Sequence, residues 1–175
     1  LSRVIAARVV QAARATAAAI AQAATGKGPF MKAWILAGAA CAALGVASTA
    51  IAQDVITARR EGMRAEGRQM EAIKAVIDAR GDTRPIVERV DTITGFYRDL
   101  QALYPVGSGT GQTRALPAIW SDPAGFEAAR TNIVGALAVL RSAAASGDVA
   151  ATAAAFNQVG AGCAACHRGY RAAAR

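Results

Sequence analysis

The sequence predicts an all-α protein folded as an antiparallel up-and-down four-helix bundle. Apolar residues recur at helical spacing in four separate segments, and no alternating run flanked by hairpin dipeptides marks a strand. The connections after the first and third segments are short and the middle one is long, which suits neighbouring antiparallel helices.

The first helix is expected over roughly 54–80, with Ile56, Met63, Met70, Ile73 and Ile77 on one stripe and a stop near Arg80-Gly81. The second should start at Pro85, with Asp82 or Thr83 as its cap and Ile86, Val90, Ile93, Tyr97, Leu100 and Leu103 or Tyr104 turned inward. A loop rich in Gly, Pro, Ser and Thr follows over 105–122. The third helix should start at Ser121 or Asp122, with Pro123 in its first turn. Its stripe is Phe126, Ile133, Leu137 and Leu140, and Ser146-Gly147 ends it. Asp148 can cap the fourth, which buries Phe156, Val159, Cys163, Cys166 and Tyr170. The small residues Gly160, Ala161 and Gly162 should let this helix come close to whatever plate the cysteines hold.

That plate is indicated by Cys163-Ala-Ala-Cys166-His167. Two thiols separated by two residues, with histidine next, is the spacing that attaches c-type haem. Both sulfurs reach the vinyl groups of one porphyrin, and the imidazole becomes an axial iron ligand. Competing readings fail on counting. A zinc site needs about four ligands, and the chain offers Cys41, Cys163, Cys166 and a single histidine. A thioredoxin-like pair belongs beside a βαβ pattern, which is missing here. The prediction is therefore a four-helix bundle with one covalently attached haem c. Its iron would be held by His167, and the porphyrin would fill a core that alanine-rich helices leave underpacked.

Covalent attachment takes place after export, and Met31-Lys32 opens an export signal. An apolar run over 33–46 is followed by Ala50-Ile51-Ala52, a small-x-small cleavage pattern before Gln53. The run is shorter than the about 20 residues a membrane span needs, and it is broken by Gly38 and Gly45. Gly38 also stands where a lipoprotein anchor at Cys41 would want a large aliphatic residue, so no stable membrane anchor is expected. Residues 1–30 are basic and free of acids and read as an upstream extension outside the fold. The expected organisation is extension 1–30, cleaved signal 31–52 and haem domain 53–175, in the periplasm. Five of the twenty basic residues and none of the twelve acidic ones lie in 1–52, so the haem domain carries a formal +3 instead of +8. With few aromatics as well, nucleic-acid binding has no support.

Several further stretches carry a resemblance. They are Arg59-Arg60-Glu61-Gly62-Met63 early in the first helix, Tyr104-Pro105-Val106-Gly107-Ser108 and Leu116-Pro117-Ala118-Ile119-Trp120 in the loop, and Phe126 soon after. The last is Cys163-Ala-Ala-Cys166-His167-Arg-Gly-Tyr170-Arg171 at the end of the chain. Together they resemble the cytochrome c′ family, the class II c-type cytochromes, over the whole of the expected haem domain. The resemblance implies that His167 is the proximal ligand, with Arg171 beside its imidazole. It implies that Arg59 lies near the haem propionates; Arg60, where glutamine is common in the family, and Thr113 and Arg114 are further candidates for the same rim.

Met63 decides the iron chemistry that the resemblance implies. In high-spin members a Leu, Met or Phe at this place packs over an open iron face; in low-spin relatives a methionine is the sixth ligand. The open-face reading is preferred, because methionine in a bundle core usually serves as packing. The expected function is periplasmic electron transfer by a five-coordinate haem able to bind nitric oxide or carbon monoxide. The alternatives are a low-spin carrier with Met63 bonded to iron, or a protein that binds and scavenges nitric oxide. The resemblance further implies a homodimer through the first two helices and a periplasmic redox partner. An enzyme is not expected, since peroxidase chemistry wants a polar distal acid or base and the distal candidates are apolar.

Overall fold

The computed structural model describes the backbone of residues 29–173 and the side chains of residues 53–173. Residues 1–28, most of the expected upstream extension, lie outside the described residues, as do the side chains of the expected export signal, Cys41 included. Internal contacts divide the chain between Ala52 and Gln53.

Five α-helices and one 3-10 turn make up the described chain: α1 (Pro29–Asp78), α2 (Ile86–Asp99), a 3-10 turn (Leu100–Leu103), α3 (Ala118–Ser121), α4 (Pro123–Ser146) and α5 (Val149–Tyr170). The bundle is built from α1 beyond residue 52 together with α2, α4 and α5. The expected stripes supply its core. Ile56, Ile73, Ile86, Val90, Ile93, Leu100, Ile133, Leu137, Leu140 and Val159 are each at most 1% exposed. Met63, Met70, Phe156, Cys163, Cys166 and Tyr170 pack against that core without being sealed in it. Fully burying each such aliphatic side chain is worth about 1.5–3 kcal/mol.

Local chemistry explains most boundaries. Asp122 accepts from the Gly125 amide at 3.0 Å and Asp148 from the Ala151 amide at 2.9 Å, so both expected caps form. Gly147 ends α4 at φ 80°, a left-handed conformation that costs glycine little. At the end of α1 the Gly81 amide bonds Val76 O and the Arg80 amide bonds Ile77 O, each at 3.0 Å. This is a Schellman stop. Glycine falls one place late for it, and Arg80 takes the left-handed position at φ 50°.

Two expectations change. Helix α1 begins at Pro29 and not near 54, because the alanine-rich stretch before Gln53 offers no stop signal. Neither Asp82 nor Thr83 caps α2 through its side chain. The buried Thr83 hydroxyl instead donates 2.9 Å to Ala144 O, which joins the α1–α2 turn to the last turn of α4. Gly162 faces helix α4, where an added Cβ would meet Ile133 Cγ1 at 3.3 Å, and Gly160 has open space around it. At Gly162 the missing side chain also serves helix–helix approach, and the open space at Gly160 is compatible with the expected close approach to a plate. A closer approach occurs at Gly62, where the Phe96 ring of α2 lies 2.1 Å from the place a Cβ would occupy.

Candidate haem-attachment site

The site lies where the end of α5, the start of the bundle segment of α1 and the long loop converge. Helical spacing sets the two cysteines and the histidine along one turn near the C-terminus of α5. Leu116 N bonds Tyr170 O at 3.0 Å and Ala172 N bonds Arg114 O at 2.8 Å, an isolated antiparallel bridge that pins the loop to the end of that helix. Arg59 secures the loop from the other side. It donates to Leu103 O at 3.3 Å, Ser108 Oγ at 3.1 Å, Ser108 O at 2.5 Å and Thr113 Oγ1 at 2.8 Å. Its guanidinium also sits 4.8 Å from the centre of the Tyr104 ring.

Between these elements is a cavity of about 610 Å³, within the range of small-molecule and cofactor pockets. Its wall holds Cys166, His167, Met63, Arg171, Arg114, Thr113, Arg59 and Arg60, so eight of the nine predicted site residues meet in one place. The ninth, Cys163, is half-buried one turn before His167, with its sulfur 3.9 Å from the Tyr97 hydroxyl. The aromatic side is a chain of edge-on contacts from Trp120 through Tyr104 and Phe126 to Tyr170, with centroids 5.1–6.2 Å apart. Tyr170 is oriented by its hydroxyl, which donates to Asp122 at 3.2 Å.

The donor set fits a covalent haem. Both thiols are free, and burial pushes both up in pKa. A catalytic dithiol has its thiolate stabilised instead. Among the described residues no three His, Cys, Asp or Glu side chains gather into a metal-holding group. Burial, with help from the charge of Arg114, pushes His167 below its ordinary pKa and keeps the imidazole neutral, as an iron ligand must be. Arg171 lies 3.3 Å from His167 Nδ1. A neutral imidazole that gives Nε2 to a metal keeps its proton on Nδ1, so in that state Arg171 is a neighbouring cation and not a donor to Nδ1.

The wall holds five arginines, at 59, 60, 64, 114 and 171, and no acid. That balance suits a dianionic rim such as two propionates. The arginines differ in freedom. Arg59 is 3% exposed with its donors spent on the loop, whereas Arg60 is exposed and reaches only Gln112, at 3.4 Å.

Sequence reasoning missed Tyr97 as a neighbour of Cys163, and it missed Arg64. It also passed over Glu66, which is 7% exposed and has one carboxyl oxygen without a hydrogen-bond partner. Glu66 does not line the cavity. An acid in an otherwise apolar stripe was the available signal.

Comparison with known proteins decides the family. The sequence pattern of the family described as Cytochrome C′ matches residues 54–171. This chain belongs to the cytochrome c′ family. Cytochrome c′ of Allochromatium vinosum is 31% identical over 140 residues, spanning 74% of this chain and 91% of that protein. Cytochrome c-554 of Cereibacter sphaeroides is 39% identical over 72 residues, 39% of this chain and 53% of its own length. Among solved structures, cytochrome c′ from Thermochromatium tepidum aligns with a TM-score of 0.65 at 27% identity, over 70% of this chain and 97% of that one. A nitric oxide complex of a variant of cytochrome c prime from Alcaligenes xylosoxidans aligns at 0.64 and 27% identity, with the same coverages. Cytochromes c′ are haem c proteins with one haem per chain, so the cofactor expected from the motif is that of the family.

Proposed function

We propose that this cytochrome c′ is a periplasmic electron-transfer protein with a five-coordinate haem iron, able to take nitric oxide or carbon monoxide on its open face. The observation that carries the reading is the make-up of the cavity wall. Once Cys166 is committed to a thioether, the wall's nitrogen and sulfur donors for iron are His167 and Met63, and Met63 packs against the apolar core. The haem, when bound, supplies a one-electron couple and a site for diatomic ligands.

The protein's part is positional. Cys163 and Cys166 would hold the porphyrin edge and His167 would offer Nε2, with the Arg171 guanidinium lying beside the imidazole. Arg60 and Arg114 provide cations for the propionates. Met63, an apolar group on the cavity wall, would cover the remaining face, admitting small uncharged gases more readily than polar ligands. Glu66, off the cavity wall, offers no acid or base there, so a carrier role is favoured over catalysis. Export is supported by Ala50-Ile51-Ala52, the small-x-small pattern before Gln53. A homodimer through α1 and α2 is part of the same proposal and rests on the family resemblance.

The test is the intact mass of protein recovered from the periplasm, with the spectrum of its reduced form alone and under carbon monoxide. Residues 53–175 plus one haem and a high-spin spectrum that shifts rapidly with carbon monoxide are expected. Haem removed by acidic organic solvent, or a low-spin reduced spectrum, would overturn the reading.

A further inference from the structure

We propose that Glu66 is a proton site linked to the redox state of the haem iron: its carboxyl takes up one proton when the iron gains an electron and releases it when the electron leaves. The inference rests on the electron-transfer reading above and adds a residue that reading does not use.

Glu66 lies one helical turn beyond Met63 on α1, and its charge acts on Tyr97 of α2 and Cys163 of α5. Cys163 is where the porphyrin would be fastened, so the field of the carboxyl reaches the anchored side of the site from behind the cavity wall. At 7% exposure Glu66 is among the most deeply buried ionisable side chains described, and its Oε2 has no partner. Among the described residues no cation offsets it. On α2 the facing group is Tyr97, whose phenol is held protonated by burial and by the Cys163 contact. On α5 it is Cys163, neutral both as a buried thiol and as a thioether. The guanidinium of α4 near this layer, Arg130, is spent on Glu127 and on Tyr97 O at 3.2 Å.

A buried carboxylate without a counter-charge is sensitive to any neighbouring change of charge. Burial alone pushes Glu66 up to about 7, so its two forms are close in free energy near neutral pH. Reduction adds one negative charge to the iron, raises the carboxyl pKa further and draws a proton from solvent. The electron comes from the redox partner. One electron and one proton enter together, the carboxylate becomes a carboxylic acid, and oxidation reverses both. Between the oxidised-state and reduced-state pKa values the reduction potential must fall with rising pH.

The experiment is a spectroelectrochemical titration of the holoprotein from about pH 5 to about pH 9, repeated for Glu66→Gln and Glu66→Met. The wild type should lose potential across neutral pH with a slope approaching one proton per electron, flattening on either side. Both variants should lose that sloping segment. The infrared difference spectrum on reduction should gain a carboxylic acid C=O band in the wild type that Glu66→Gln lacks. A wild-type potential flat through neutrality, or a slope and band that survive Glu66→Gln, would overturn the proposal while leaving the electron-transfer reading intact. A protein without covalent haem or a reversible couple would overturn both.

Discussion

Arg59 holds Ser108 by two atoms at once, across 49 positions of sequence: Nη1 donates to the hydroxyl at 3.1 Å and Nη2 to the carbonyl at 2.5 Å. The guanidinium is buried with only neutral acceptors about it, and burial lowers its pKa. It remains a cation all the same, because arginine starts so high. The residue that the family resemblance places by the propionates thus also fastens the rim of the site. Arg59→Ala leaves the loop acceptors unpaired and should cost about 2–4 kcal/mol. Arg59→Lys should recover little of this, since an ammonium cannot span the same acceptors. Urea unfolding of the holoproteins measures both.

Arg80 invites the opposite change. A non-glycine residue at φ 50° carries a left-handed penalty of about 1–2 kcal/mol. Arg80→Gly should raise stability by up to about 1 kcal/mol after the entropy glycine adds to the unfolded chain. The thermal midpoint should rise by a few degrees, with the haem spectrum unchanged.

Met63→Ala separates the two readings of the iron. With Met63 only packing over it, the wild type is high-spin, and the variant should bind carbon monoxide faster and admit water or larger ligands. A low-spin wild type that becomes high-spin in the variant would make Met63 the sixth ligand. Stopped-flow carbon monoxide binding and the visible spectrum decide this.

Glu66 also gives stability a pH dependence with a definite sign. Its folded pKa, about 7, lies above the ordinary 4.5, so its contribution is fully present below 4.5 and is lost as pH rises through 7. The loss is on the order of 2–3 kcal/mol. Glu66→Gln should therefore match the wild type in acid, gain on it progressively toward neutrality, and keep a constant advantage in base. Urea midpoints measured across pH would reveal the divergence.

Much of this was legible because each feature had a local cause. Asp122 and Asp148 cap their helices through their own side chains, and Gly147 stops α4 by itself. The haem motif is a spacing along one helix. What escaped the reading depends on the tertiary partner. The Thr83 hydroxyl could have capped α2, and only the packed bundle offers it Ala144 O instead. Arg59 and Glu66 occupy stripe positions between Ile56, Met63 and Met70, which shows that they turn inward. Sequence does not say that the loop would return to satisfy the arginine and leave the glutamate alone. Likewise the small residue Gly162 was visible, but the neighbour it admits, Ile133, was not.

The loop between the 3-10 turn and α3 is gripped at one end by Arg59 and at the other by the bridge between Ala115 and Arg171. The helix carrying Met63 and the helix carrying His167 are thereby spaced like the jaws of a calliper whose setting is locked by polypeptide. With haem bound, the clearance above the His167 imidazole would belong to the chain and not to the cofactor. Ser108 and Leu116, which tie the loop down, would thus govern how much room a sixth ligand finds.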